Sequence, residues 1–298
     1  MALQAAAFRA GYVAIVGRPN VGKSTLLNRL VGHKISITSR KPQTTRQRVV
    51  GIQTLEHAQL LYVDTPGYQT RHAGALNRQM NRVVTQVLAD ADVVVWLVEA
   101  TRLVAADHAL LELLPARRPV LLAINKIDLL AERKLLLPFI GKMSQLREFA
   151  GIVPVSAARG DGLDDLATAI ARCLPERPAI YGADEITESN ERSLAAELIR
   201  EKVFRLLGEE LPYSCTVLID HFAEEGALRR IHATIIVDKE SHKGIVVGAG
   251  GSRLKKIATQ ARLDMEKLFG GKVHLEVWVK ARPGWSEDRR FLQRLGYG

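Results

Sequence analysis

The chain has 298 residues, 47% of them hydrophobic and 25% charged, with a formal net charge of +10. That length allows two ordinary domains, and that composition excludes disordered, fibrous and collagen-like chains. Two cysteines, Cys173 and Cys215, are too few for a disulfide framework; both read as core residues in a reducing compartment.

The start, MALQAAAFRA, lacks a basic region ahead of a long apolar stretch, so no signal peptide is expected. From there to about residue 175, strand-like runs alternate with longer helical patterns. The runs are YVAIVG, VVGIQTL, AQLLYVD, DVVVWLVE, PVLLAIN and GIVPVS, with amphipathic stretches such as KSTLLNRLV and GLDDLATAIARCL among them. This is a βαβ rhythm, which predicts a mostly parallel sheet with helices on both faces. Only Glu56 and His57 separate the second and third runs, so these two should form the one antiparallel pair. VVVWLV, between Asp92 and Glu99, reads as a buried strand too short to span a bilayer.

The first strand leads into GRPNVGKS, residues 17–24, which fits G-x-x-x-x-G-K-[ST] in the strand–loop–helix context that this motif requires. The candidate phosphate cradle is therefore Gly17, Arg18, Pro19, Asn20, Val21, Gly22, Lys23 and Ser24. Inward-facing amides and a helix N-terminus favour a triphosphate. Lys23 should reach the β- and γ-phosphates, and the Ser24 hydroxyl should ligate Mg²⁺. In the segment KISITSRKPQTTRQR, a threonine should complete the Mg²⁺ shell; Thr44 and Thr45 both qualify, and Thr45, directly before Arg46, is preferred. In YVDTPGY, Asp64 would hold a Mg²⁺-bound water and the Gly67 amide would meet the γ-phosphate. Thr65, Pro66 and Tyr68 complete that loop.

AINKID supplies Asn125, Lys126, Ile127 and Asp128. An aspartate there accepts from the N1–H and 2-amino group of guanine, two donors that adenine lacks. A site that loses its donors rejects the wrong base by about 10⁴. Lys126 would lie along the base, and in VPVSAA the Ala157 amide would bond guanine O6, with Ser156 steadying the loop.

The βαβ pattern breaks at LPERPAIYGADEITE, residues 174–188, which reads as a linker. The predicted domains are residues 1–176, a linker at 177–190, and residues 191–298. The second domain opens with an amphipathic helix, NERSLAAELIREKVFRLLGEELP, followed by the strands SCTVLIDHF, RIHATIIVD and VHLEVWVKA. From Gly226 to the end there are 15 Lys and Arg against 7 Asp and Glu, so most of the positive charge sits there and a polyanionic partner is expected. Within this part lies a second glycine loop, Gly248, Ala249, Gly250 and Gly251, with no GK[ST]. It is a G-x-x-G between two helical segments, as in a KH domain, where a nucleic-acid backbone approaches closely and about four unpaired bases lie in a groove alongside. Arg253, Lys255 and Lys256 would add charge.

Taken together, these motifs resemble the translation-factor-like class of small GTPases. GRPNVGKST, QTTR, DTPGY, LIREKVFRLLGEELPYS, HLEVWVK and GWSEDRRFLQRLGYG resemble the Era family across nearly the whole chain. The fold implied is an α/β P-loop NTPase domain followed by a smaller α+β KH domain of type II. The catalytic set carried over is Lys23, Thr45, Asp64, Gly67 and Asn20. The resemblance implies GTP and GDP binding, Mg²⁺-dependent GTP hydrolysis, and binding to the 3′ end of small-subunit (16S) rRNA with a role in 30S subunit assembly. It also implies loose attachment to the inner face of the membrane; a monomer in the cytoplasm is expected. Many GTPases place a glutamine after D-x-x-G; here Tyr68 stands there, which predicts slow intrinsic turnover, about 10⁻⁴ to 10⁻² s⁻¹. Asn20, as in K⁺-dependent relatives, is a candidate for binding K⁺ beside the β–γ bridge. The second glycine loop departs from the family pattern: Ala249 and Gly250 stand where a basic residue is usual. The competing reading is a membrane-surface switch whose basic C-terminal part meets anionic lipid.

Overall fold

A computed structural model describes residues 7–39, 41, 44–68, 74–208 and 211–295. The chain divides into two units. The first comprises Met1–Ser36, Thr45–His72 and Met80–Glu188; the second comprises Ile37–Thr44, Ala73–Gln79 and Ser189–Gly298.

The first unit is a six-stranded sheet in the order β2-β3-β1-β4-β5-β6. Its strands are β1 (Arg9–Val16), β2 (Val49–Thr54), β3 (Ala58–Asp64), β4 (Val93–Glu99), β5 (Val120–Asn125) and β6 (Gly151–Pro154). Only β2 runs antiparallel, paired with β3 from Val49↔Asp64 to Thr54↔Gln59, as the two-residue connection predicts. The helices are α1 (Lys23–Val31), α2 (Ala75–Asp90), which belongs to this unit from Met80 onward, α3 (Ala105–Leu111), α4 (Leu136–Ser144) and α5 (Leu163–Cys173). Apolar runs without alternation suit a sheet covered on both faces. On β4, Val94, Trp96 and Val98 form one core cluster with Val84 and Leu88 of α2, Leu110 of α3, and Phe139 and Met143 of α4. β1 and β5 end at the same edge of the sheet, and both are followed by the loops that carry the chemical motifs.

Most of the segment expected as a linker is fastened to the first unit. Gln59 Oε1 accepts from the amides of Ile180 and Tyr181 at 2.8 and 2.9 Å, and Thr187 Oγ1 donates to the Val50 carbonyl at 2.6 Å.

The second unit follows the predicted order: α6 (Glu191–Leu206), β7 (Cys215–Glu225), β8 (Leu228–Val237), α7 (Glu240–Val247), α8 (Ser252–Phe269) and β9 (Lys272–Ala281), with a closing helix α9 (Arg289–Arg294). Its sheet runs β7-β8-β9, antiparallel then parallel. Asn190 caps α6 by accepting from the Ser193 amide at 2.9 Å. Leu198 and Ile199 of α6 pack with Ile257, Ala261 and Met265 of α8 over Val217, Ile231 and Ile235 of the sheet. The far side of α6 is not solvated as a simple amphipathic helix would be, because Arg200, Glu201 and Lys202 are all buried. Glu201 Oε1 accepts from the Thr38 amide at 3.0 Å, Arg200 donates to the Thr44 carbonyl, and Lys202 pairs with Glu201 and Asp264. Among the described residues, no helix is long and apolar enough to cross a membrane.

Candidate functional site

The phosphate loop leaves β1 and enters α1 through Gly22, whose φ of 110° favours glycine. A side chain at Gly22 would strike Asn125 Nδ2, and one at Gly17 would come within 2.6 Å of the Leu97 carbonyl. Asn20 is exposed at the tip and holds a left-handed φ of 61°. Lys23 is buried, with Nζ donating to the Gly17 and Arg18 carbonyls at 3.1 Å each. Burial pulls its pKa down to about 8, against the attraction of Asp64 and with help from the Arg18 charge. A desolvated ammonium held at the mouth of an amide-lined loop is suited to a polyphosphate.

Asp64, fully buried at the end of β3, is the centre of a hydroxyl cluster. Its Oδ2 accepts from Ser24 Oγ at 2.6 Å, Ser36 Oγ at 2.8 Å and Thr45 Oγ1 at 3.1 Å, and Ser24 Oγ lies 2.8 Å from Thr45 Oγ1. Its Oδ1 is buried without a hydrogen-bond partner. Burial pushes this carboxyl above its usual range, although Lys23 and the three hydroxyls oppose that. Hard oxygen donors around an undersatisfied carboxylate fit Mg²⁺. Thr44 is not part of the cluster: its hydroxyl donates to the Lys41 carbonyl at 2.7 Å. The sequence did not point to Ser36. Beyond Asp64, Thr65 Oγ1 donates to the Ile15 carbonyl at 2.9 Å, and Gly67 passes so close to the phosphate loop that a Cβ there would lie 2.8 Å from the Pro19 nitrogen. Pro66 is buried and Tyr68 packs partly into the core.

The base loops converge on the same edge. Asn125 Nδ2 donates to the Val21 carbonyl at 2.8 Å, and its Oδ1 accepts the Ala157 amide at 3.0 Å. One carboxamide thus ties the phosphate loop, the end of β5 and the loop after β6. The amide expected to meet guanine O6 is thus held at this edge by the Asn125 carboxamide, as a buried Asn carbonyl must be satisfied. Lys126 has φ 67°, Ile127 N donates to the Val155 carbonyl at 3.4 Å, and Asp128 Oδ1 accepts from Ser156 Oγ at 2.6 Å. Ser156 therefore steadies the aspartate as well as its own loop.

In the second unit, Gly248, Ala249, Gly250 and Gly251 join α7 to α8, with left-handed φ at all three glycines. Gly250 and Gly251 have open space where a side chain would project. Lys255 and Lys256 are exposed on the first turn of α8. Arg253 turns back to the Ile245 carbonyl, satisfying a C-terminal carbonyl of α7. Ile245, which the sequence reading passed over, is exposed beside the loop and offers apolar surface for a base.

A phosphate cradle, a hydroxyl–carboxylate cluster and an N-K-x-D loop at one sheet edge define a P-loop GTPase, and the second unit has the strand order and glycine loop of a KH module. Comparison with known proteins agrees. Residues 12–126 match the family described as 50S ribosome-binding GTPase, and residues 210–286 match the KH domain. GTPase Era of Nitrosomonas eutropha is 56% identical over 99% of this chain and 100% of the relative. That of Chromobacterium violaceum is 54% identical over 97% and 98%. Two solved Era structures superpose with a TM-score of 0.94 over 98% of this chain. One, from Aquifex aeolicus, is bound to GDP and AlF4⁻ at 40% identity, covering 100% of that chain; the other holds MgGDPNP and nucleotides 1506–1542 of 16S ribosomal RNA at 39%, covering 99%. The chain belongs to the Era family of GTPases.

Proposed function

We propose that the chain is a GTP-hydrolysing switch whose second unit binds the 3′ end of small-subunit rRNA and which serves assembly of the 30S subunit. The observation that carries the switch is the convergence of Ser24, Thr45 and Asp64 beside the Lys23 ammonium. The Era relative solved with MgGDPNP and a 16S rRNA fragment supports the RNA half of the reading.

In this mechanism Lys23 exchanges the Gly17 and Arg18 carbonyls for the β- and γ-phosphates. Mg²⁺, held by Ser24, Thr45 and a water on Asp64, neutralises charge on the same phosphates. Gly67, pressed against Pro19, presents its amide to the γ-phosphate, so loss of that phosphate frees the D-T-P-G turn. Asp128 reads the guanine edge. Tyr68 has no carboxamide to orient the attacking water, which favours slow turnover; Asn20, at the exposed loop tip, would hold K⁺, which would supply positive charge beside the β–γ bridge. Phosphates of the RNA approach the side-chain-free surface of Gly250 and Gly251, with Lys255 and Lys256 alongside and Ile245 beneath a base. The protein acts as a monomer in the cytoplasm, with peripheral attachment to the inner membrane.

Sequencing the RNA that co-purifies with the GTP-bound protein tests this: the 3′ end of small-subunit rRNA should be enriched over the GDP-bound sample. No enrichment, together with flotation on anionic liposomes, would favour the membrane-surface reading.

A further inference from the structure

β4 ends on Glu99, a residue outside every motif used above. Its Oε2 accepts from Lys126 Nζ at 3.1 Å and from Arg18 Nη2. Arg18 belongs to the phosphate loop and Lys126 to the base loop, so one carboxylate oxygen joins the two halves of the nucleotide site. The three side chains are only 13–29% exposed, which leaves the charges poorly screened. Asp107, fully buried at the start of α3, lies 3.4 Å from Arg18 Nε and accepts from the Val104 amide at 3.0 Å, so it backs the arginine from a third element. Burial pushes the Glu99 carboxyl up, but Lys126 and then Arg18 outweigh it and hold Glu99 below the usual carboxylate range. Glu99 is therefore the ionised partner of both cations near neutral pH.

We infer that Glu99 is a positioning residue for nucleotide binding, holding the Lys126 side chain and the phosphate loop in register before the guanine nucleotide arrives. The Asn125 bond to the Val21 carbonyl ties the same loops but carries no charge and fixes only backbone. Lys126 has three rotatable donors on a flexible stem, and without an anchor it must be ordered at each binding event. Removing Glu99 also leaves two like charges facing each other. Glu99 sits by the base and the root of the phosphate loop, so GDP and GTP should feel its loss equally and the hydrolytic step should not.

This inference rests on the nucleotide assignment above, so the parent protein is the first arm of the test. Release of fluorescent analogues of GDP and of non-hydrolysable GTP is followed by stopped flow from the parent, Glu99→Gln and Glu99→Asp, alongside GTP turnover at saturation and the melting temperature of each nucleotide-free protein. Glu99→Gln should release GDP and GTP about ten-fold faster, with turnover at saturation within about two-fold, because losing one partner of a shielded charge pair costs on that order. Glu99→Asp, which keeps the charge, should recover most of the difference. Release from Glu99→Gln within two-fold of the parent overturns the inference. So does a Glu99→Asp protein that releases as fast as Glu99→Gln while both melt several degrees lower, since that marks a purely structural residue. A parent that fails to hold GDP overturns the nucleotide assignment itself, and this inference falls with it.

Discussion

Thr45 Oγ1 reaches Asp64 Oδ2 at 3.1 Å, while the neighbouring Thr44 turns its hydroxyl the other way, to the Lys41 carbonyl at 2.7 Å. Thr45 therefore serves the cluster and Thr44 does not. Thr45→Ala should lower single-turnover GTP hydrolysis about 10²-fold in Mg²⁺, the usual effect of losing one group that stabilises transition-state charge. Thr44→Ala should stay within about two-fold. Equal losses in both variants would reject this division of labour.

Burial of Lys23 carries a pH signature. Its pKa falls from 10.5 to about 8 in the folded protein, so between those values the unfolded chain binds more protons. The penalty is full below pH 8 and fades as pH rises toward 10.5. Lys23→Met keeps the stem and removes the charge. Without nucleotide it should melt above the parent at pH 7, by an amount worth about 3 kcal/mol, with the gap closing through pH 8 to 10. GTP binding should be abolished. A Lys23→Met protein that melts lower than the parent at pH 7 would mean that the bonds to the Gly17 and Arg18 carbonyls outweigh the desolvation.

The phosphate loop, D-T-P-G and N-K-x-D were legible because each places its chemistry through local backbone geometry: a glycine at φ 110°, an aspartate ending a strand, a lysine at φ 67°. Contacts that depend on distant chain were not. Nothing near Ser36 announces that it bonds Asp64, and Gln59 gives no sign that it will fasten Ile180 and Tyr181. The charges of α6 look like a solvated face of an amphipathic helix, yet Arg200 and Glu201 are buried and bonded to Thr44 and Thr38, more than 150 positions earlier in the chain.

Asn20 has an exposed side chain at the loop tip and a backbone that only a few residue types tolerate at φ 61°. If it helps to bind a monovalent cation, GTP turnover should rise about ten-fold or more in KCl over NaCl at equal ionic strength, and Asn20→Ala should erase the difference while still binding GDP. The scale is modest beside the gain of 10³ or more that an arginine finger provides. Equal rates in the two salts would end the idea.

Gly250 allows a test by charge without a clash, since nothing lies within 4 Å of the position a Cβ would take. Asp and Asn both tolerate its φ of 56°, so they share shape and strain and differ in charge. Gly250→Asp should weaken binding to single-stranded rRNA about ten-fold more than Gly250→Asn, and neither should change GDP affinity. Identical RNA affinities for the two variants would remove the phosphate backbone from this loop.

Asp128 decides the base. Ser156 Oγ holds its Oδ1 at 2.6 Å, fixing the carboxylate while further lone pairs are left for the N1–H and 2-amino group of guanine. Asparagine at this position keeps one acceptor and adds a donor. That set matches xanthine, which keeps N1–H and carries a carbonyl at position 2. Asp128→Asn should therefore lose affinity for GTP by about 10³-fold or more and bind xanthosine triphosphate better than the parent does. Nucleotide competition read by calorimetry checks both halves. A variant that still prefers GTP would show that recognition lies elsewhere in the loop, and the pairing of Ser156 with Asp128 would then be structural support alone.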